Sequence, residues 1–169
     1  MVNTVINTLV AFLVGGATLS FSFTATDAGG NVLLSTEGTA VTLGENYRME
    51  TDDLLVVSDG SVKGIWQKDV DEIIIMPVEP AASGNPQDAT IGGITDNPFA
   101  LLKETPGLYD ISTMGMDANG IPMQIVMKAK SGTVYTIGIS RYSALPAPDA
   151  TLFTLNQEDY PAAVITDLR

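Results

Sequence analysis

Cysteine and histidine are both absent from the 169 residues of this chain. Without cysteine there can be no disulfide, no thiolate metal site and no cysteine nucleophile. Without histidine the chain lacks the usual general base and the commonest ligand of transition metals. These two absences exclude most hydrolase and metalloenzyme mechanisms, and we predict that the protein has no catalytic residue, no metal and no cofactor.

Basic residues are scarce as well. The chain has 8 Lys and Arg residues against 20 Asp and Glu residues, a net charge of -12 and a pI near 4.1. Such a surface repels the phosphate backbone of nucleic acids, and no basic stripe in the sequence overrides that repulsion. Nucleic acid is therefore excluded as a partner, and an anionic membrane surface is disfavoured for the same reason.

No apolar run is long enough to span a bilayer, which takes about 20 residues. The longest candidate, residues 5–14, contains Asn7, has no Lys or Arg before it and ends at Gly15-Gly16. A secretory signal peptide would begin with basic residues. We therefore expect Met1 to begin a mature or trimmed domain from which any signal peptide has already been removed.

Hydrophobic residues make up 45% of the chain and charged residues only 17%. A chain of this length fits one domain and can bury about 70% of the surface that its unfolded form exposes. These many apolar side chains can either fill a large ordinary core or line an apolar cavity for a ligand. Composition alone does not separate these alternatives.

The first part of the sequence shows two clear periodicities. Apolar residues at helical spacing over residues 2–13 predict an amphipathic helix that ends at Gly15-Gly16. From Leu19 the period changes to two, with Phe21 and Phe23 on one face and Ser or Thr residues on the other. Asp27 to Asn31 then predict a hairpin turn, which we favour over a calcium loop because regularly spaced oxygen ligands are missing.

The rest of the chain reads mainly as strands joined by turns. We predict strands over residues 32–41, 47–50, 54–57, 73–76, 108–116, 121–130 and 133–142, and Trp66 on a strand before the acidic turn at 69–72. On the last strand, alternation groups Arg141 with Tyr135, Ile137 and Ile139. Residues 77–96 read as a loop, and Asn97-Pro98 begins a short helix over 98–103.

The densest group of carboxylates is Asp69, Asp71 and Glu72. It falls at the turn between two strands, where a solvated acidic loop is far commoner than a catalytic pair of acids. The glycine pairs of the sequence match neither a P-loop nor a dinucleotide-binding fingerprint. No enzymatic motif emerges from the residues.

The order of features over residues 47–77 resembles that of the LolA-like family of periplasmic lipoprotein carriers. Tyr47 opens an aromatic strand, Val-Ser-Asp-Gly follows at 57–60, and Trp66 precedes an acidic turn and an apolar strand. Two later segments are similar in the same register: the Pro98 helix, and a closing set with a Phe153 strand, Tyr160-Pro161 and a final Asp-Leu-Arg. The carriers place an Arg-Pro pair just before the aromatic strand, where this chain has Leu43-Gly44-Glu45.

This resemblance implies an α+β fold in which a curved, incompletely closed antiparallel sheet, a half-barrel, is covered by the N-terminal helix and the helix near Phe99. It implies a single carrier domain over residues 1–169, a periplasmic monomer that takes lipoprotein acyl chains, or another lipid, from an inner-membrane donor complex to an outer-membrane acceptor. The alternative is a non-enzymatic structural or regulatory binding domain of the same fold with a filled interior.

The candidate ligand-binding residues are those that alternation and helical spacing direct to the concave face. They are Leu9, Phe12, Leu13, Phe21, Phe23, Tyr47, Met49, Trp66, Ile74, Met76, Phe99, Leu102, Met123 and Met127. In such carriers this face is a cavity for acyl chains, whereas in an ordinary domain it is the core. We further expect residues 80–99 to form a mobile lid that becomes ordered when an acyl ligand binds.

Overall fold

Ten strands of the chain form one sheet with a helix packed on one side of it. The computed structural model describes residues 2–78, 90–91, 94–95, 109–145 and 149–169. The elements are α1 (Val2–Gly15), β1 (Ala17–Thr26), β2 (Val32–Leu43), β3 (Asn46–Thr51), β4 (Leu54–Ser58), β5 (Val62–Gln67), β6 (Glu72–Pro77), β7 (Thr90–Ile91), β8 (Ile94–Thr95), β9 (Tyr109–Met116), β10 (Pro122–Ala129), β11 (Val134–Ala144) and β12 (Val164–Asp167).

The large sheet has the strand order β12-β6-β5-β4-β3-β2-β1-β11-β10-β9, and β7 pairs with β8 in a separate small hairpin. All pairs in the large sheet are antiparallel except the pair of β12 and β6, which is parallel. The two end strands, β9 and β12, do not pair with each other, so the sheet stays open. The predicted curved, incompletely closed α+β arrangement is confirmed.

Helix α1 covers the middle of the sheet, as its spacing predicts. It buries Ile6, Leu9 and Leu13 in the same apolar cluster as the phenylalanines of β1. The helix ends where Gly16 takes up a φ of 105°, a conformation that side chains resist. The hydroxyl of Thr42 donates to the Leu13 carbonyl at 2.8 Å, so β2 satisfies one of the carbonyls left open by the end of the helix. Among the described residues no helix combines the length and the apolar content needed to cross a membrane.

Cross-strand register divides the side chains of the sheet between two faces. We call the face that α1 covers the inner face; it carries Phe21 and Phe23 of β1, Ala40 of β2, Met49 of β3 and Ile137 of β11. Residues directly opposite each other on neighbouring strands project to the same side, and their neighbours along the strand project to the other. The opposite side is the outer face.

A second buried group lies on the outer face, beneath the C-terminal segment. Leu55, Val57 and Ile73 are at most 2% exposed, and so is Phe153 from the C-terminal segment. Gly64 leaves room for this packing, because a Cβ at that position would lie 2.8 Å from Cδ1 of Leu155. The C-terminal segment therefore closes an apolar layer of its own, separate from the one beneath α1.

In the later part of the chain, one prediction is wrong and two concern residues that lie mostly outside the described ranges. The predicted strand around Phe153 is wrong: residues Ala150–Phe153 form a 3-10 helix whose Asp149 cap accepts from the Thr151 amide at 2.9 Å. That side-chain acceptor favours a turn over an extended strand. The helix over 98–103 lies outside the described residues, and so does the lid over 80–99 apart from Thr90–Ile91 and Ile94–Thr95.

Gly38 marks a close approach between two strands and gives a test of the sheet. A Cβ at this position would collide with the backbone carbonyl of Glu50 on β3. Backbone cannot move aside as a flexible side chain can, so we expect Gly38→Ala to lower the free energy of unfolding by about 1–3 kcal/mol. Urea unfolding followed by circular dichroism measures this loss.

Gly15→Ala is the matched control, since a Cβ at Gly15 has nothing within 4 Å. It should leave the urea midpoint close to that of the unmodified chain. Equal midpoints for the two variants would show that β2 and β3 leave room for a side chain at position 38.

Candidate functional site

The strands that the structure describes carry no charged side chain across most of the width of the inner face. From β9 to β4, the charged strand residues are Glu37, Arg48, Glu50, Asp110, Lys128 and Arg141, and register places all of them on the outer face. Within the described strands, charged residues of the inner face appear only beyond β4, as Lys63 on β5 and Glu72 on β6. The result is an uncharged, largely apolar surface that runs from the β9 edge to β4. Its polar side chains are hydroxyls, those of Thr36, Thr42, Thr51, Ser58 and Thr113.

The centre of this surface is filled by its own side chains. Leu9, Phe23 and Met127 are at most 1% exposed, and Leu13, Phe21 and Met49 are 3% exposed. The ring of Phe23 stacks on Tyr135 with centroids 6.0 Å apart, and Tyr109 meets Tyr135 edge-on at 6.1 Å. These side chains touch protein on every side, so the centre of the inner face is packed as a protein core is.

Half-buried apolar residues surround this packed centre. Tyr47, Met76 and Phe12 pack against the core cluster and remain partly exposed. Ile74 lies opposite Ile65 and is half-buried, and Met123, which shares its face with Ile125 and Met127, is half-buried as well. We call Tyr47, Ile74 and Met76, on β3 and β6, the rim. A ligand could reach the rim without displacing a fully buried side chain.

Trp66 does not share this face, and the expectation that it does is wrong. It pairs with Leu55 and Ile73, whose side chains lie on the outer face beneath the C-terminal segment. Its ring lies 4.6 Å from that of Tyr160, and its Nε1 donates to the Asp71 carboxylate at 3.0 Å. Every residue of neighbouring β4 is buried, so alternation did not indicate which face Trp66 would join.

Arg141 also lies on the other side of the sheet from its predicted position. The register between β1 and β11 shifts between Ser20, which pairs with Arg141, and Phe21, which pairs with Ile139. Ser140 is the extra residue, and a bulge of this kind reverses the side to which the following residues point. The shift keeps a guanidinium out of the apolar interior and instead brings Tyr142 to the inner face, where its ring meets Phe12 at 5.3 Å.

Two further candidates, Phe99 and Leu102, lie outside the described residues. The structure adds inner-face residues that the sequence did not single out as ligand contacts, chiefly Val56, Ile65 and Tyr135. Tyr135 alternates with Ile137 and Ile139, a signal that was visible in the sequence. Val56 and Ile65 lie in segments that are apolar at successive positions, so alternation does not show which face their side chains join. The pairing of β4 with β5 assigns both to the inner face.

Acidic residues that looked like candidate sites have structural partners. The Asp71 carboxylate accepts a hydrogen bond from Nε1 of Trp66, and the Glu72 carboxylate accepts one from the Thr166 hydroxyl at 2.9 Å. In the Asp27 turn, the Asn31 side-chain amide and then the Asn31 backbone amide are the main causes that lower the pKa of the Asp27 carboxyl. No group of three or more His, Asp or Glu residues within the described ranges could hold a metal ion.

No protein-family model and no curated protein matches the chain. Solved structures do. An uncharacterized conserved protein from Thermus thermophilus superposes with a TM-score of 0.57 at 9% identity and covers 98% of both chains. A LolA superfamily protein from Nitrosomonas europaea superposes with a TM-score of 0.54 at 10% identity, over 91% of this chain and 97% of that one. At these identities the likeness shows the fold alone: the chain has a LolA-like fold.

Tyr135 supplies a test of the packed centre. Burial raises the pKa of its phenol, because the interior disfavours the phenolate. In the unfolded chain the phenol ionises near pH 10, so stability contributed by the neutral form is present below that pH and is lost as pH rises towards the folded-state pKa. We expect the melting temperature of the unmodified chain to fall more steeply above about pH 10 than that of Tyr135→Phe.

Thermal melts of both proteins across this range provide the measurement. Lysines and other tyrosines ionise in both, so their contribution cancels in the comparison. Parallel slopes would mean that Tyr135 is hydrated and that the centre of the inner face is open to water.

Proposed function

We propose that this chain is a non-enzymatic periplasmic carrier, a single domain over residues 1–169, that binds the acyl chains of a lipoprotein or of another lipid along its inner face. It would receive this cargo from an inner-membrane donor and release it to an outer-membrane acceptor. The LolA-like fold supports the class of function, and the inner face supports the class of ligand.

The observation that carries the proposal is the separation of charge between the two faces. A chain with a net charge of -12 has many charged residues to place, yet the described strands from β9 to β4 carry none of them on the inner face. An acyl chain has no group that needs a polar partner, so an uncharged surface of this width suits it. Burial of an acyl chain contributes about 0.8 kcal/mol per CH₂, which is ample affinity without a polar contact.

The rim is where we place the first contact with the ligand. Tyr47 and Met76 pack against the core cluster from strands β3 and β6 and remain partly exposed. Methionine side chains are flexible and adapt to irregular apolar partners, and Met49, Met76, Met123 and Met127 all belong to the inner face. An acyl chain that enters at the rim could move these side chains with little strain and continue towards the packed centre.

The packed centre favours a second candidate, a binding or regulatory domain of the same fold whose interior is filled. Phe23 and Met127 are at most 1% exposed, and a carrier must make room among such residues. The two candidates differ in one measurable respect. A carrier takes up acyl chains while it remains folded, whereas a filled domain binds none.

Organic extraction of freshly purified protein, followed by mass spectrometry, tests for endogenous cargo. If the purified protein carries no lipid, titration with a fluorescent acyl probe tests whether it can bind one. We expect saturable binding with one acyl-bearing molecule per chain. A blank extract together with no saturable binding of the probe would rule out the carrier and leave the filled domain.

Tyr47→Glu tests the position of the binding surface. A carboxylate at a half-buried rim position stays hydrated, so the variant should fold, but an acyl chain that covered it would remove that water. We expect the affinity for the acyl probe to fall by at least about tenfold, which corresponds to about 1.4 kcal/mol. The melting temperature should change little.

Met114→Glu is the matched control, because Met114 is 61% exposed and lies opposite Gln124 on the outer face. It adds the same charge to the same fold and should bind the probe as the unmodified chain does. Unfolding of Tyr47→Glu would show that the rim belongs to the packed core, and equal affinities in both variants would place the binding surface elsewhere.

A further inference from the structure

The outer face carries a groove that the proposed carrier function does not use. Its volume is about 300 Å³, and it lies across β2, β1 and β11, on the far side of the sheet from α1. Six residues that line it point outward: Thr18, Ser20, Thr39, Val41, Arg141 and Ser143. Four of the six are hydroxyl side chains, and one is a guanidinium.

Register brings these groups together in two adjacent rows. Thr39, Ser20 and Arg141 lie opposite one another on the three strands and form the first row. Val41, Thr18 and Ser143 form the second, in which the hydroxyls of Thr18 and Ser143 are 2.7 Å apart. Arg141 belongs to this arrangement only because of the bulge at Ser140, and bulges commonly direct a side chain towards a site.

Arg141 is an exposed cation that makes no ion pair with any residue that the structure describes. Two other basic side chains are, by contrast, engaged: Lys68 binds Glu50 at 3.0 Å and Arg169 binds Asp167 at 2.6 Å. Among the residues that the structure describes, no carboxylate lines the groove, although the sequence has 20 acidic residues. Glu50 continues the first row beyond Thr39, but Lys68 already neutralises it. The groove therefore offers a positive charge in an otherwise acidic protein.

The donors favour one class of ligand. A planar carboxylate is satisfied by the two parallel hydrogen bonds of a single guanidinium. A phosphate group has additional oxygens in other directions, which the hydroxyls of Ser20 and Thr39 could meet. Of the two hydrogens on the paired Thr18 and Ser143 hydroxyls, one is used between them and one remains to donate outward. The groove is also larger than a phosphate alone requires, so the phosphate should belong to a polar molecule.

From this arrangement we infer that the outer-face groove binds a phosphate ester, with Arg141 as its charged anchor and Ser20 and Thr39 as neighbouring donors. The phosphate could belong to a soluble compound or to a phospholipid head group, since the chemistry that the groove recognises is the same. This site is separate from the inner face, and it does not depend on whether an acyl chain binds there.

Amide chemical shifts of the full chain, labelled with nitrogen-15, provide the test. One arm adds glycerol 3-phosphate, with glycerol as the uncharged control, and the other measures flotation with phosphatidylcholine and phosphatidylglycerol vesicles. We expect saturable shifts at Thr18, Ser20, Thr39 and Ser143. Arg141→Gln should weaken binding by about tenfold, the usual effect of losing one charged hydrogen-bonding group.

Lys128→Gln is the matched control, because Lys128 is an exposed cation on the outer face outside the groove. It should change the affinity by less than about twofold, as expected for an exposed charge at a distance. Thr39→Val removes one hydroxyl with little change of shape and should weaken binding less than Arg141→Gln does.

The titration and the flotation together show whether the phosphate comes from a soluble ester or from a phospholipid head group. A response to glycerol 3-phosphate that depends on Arg141 assigns the groove to soluble phosphate esters, and flotation that depends on Arg141 assigns it to head groups. The absence of saturable shifts together with flotation that is the same in Arg141→Gln would overturn the inference. Equal losses in Arg141→Gln and Lys128→Gln would also overturn it, because they would reflect the general charge of the surface.

Discussion

The double pairing of strand β1 is the constraint on which the rest of the structure depends. From Ala17 to Thr26 this strand pairs with β2 on one side and β11 on the other, and through it the β2–β6 region joins the β9–β11 region. Its strict alternation of Ala, Leu or Phe with Ser or Thr fixes which side faces α1. A slip by one residue would expose Phe21 and Phe23 to water and bury hydroxyls in their place.

The sequence predicted the elements well where one side of a strand is polar. The helix over residues 2–13 and the strand from Leu19 are both present, and Phe21, Phe23, Met49 and Met127 lie on the inner face beside Leu9 and Leu13. Prediction failed where both sides are apolar. Strand β4 is buried throughout because the C-terminal segment covers its outer side, so neither its orientation nor that of Trp66 could be read from alternation.

The distribution of charge could not be predicted from the sequence for a different reason. It depends on register between strands that are far apart in the chain, and a single bulge at Ser140 changes the side on which Arg141 lies. Local alternation grouped Arg141 with Ile137 and Ile139, which would have placed a cation among aromatic rings. Burying an unpaired guanidinium would cost free energy, so the bulge that places Arg141 on the outer face is favoured over regular pairing. This preference cannot be derived until the strand that pairs with β11 is known.

The pairing of β1 with β11 has a consequence for the synthesis of the protein. Phe23 must meet Ile137, so one edge of β1 stays open while the ribosome makes the chain between them. At about 5–20 residues per second this interval lasts several seconds, long compared with the microseconds in which a hairpin such as β1 with β2 forms. During that time the nascent chain exposes an unpaired strand edge that carries two phenylalanines. Such an edge is prone to aggregate, so this is the stage at which the protein depends most on a chaperone.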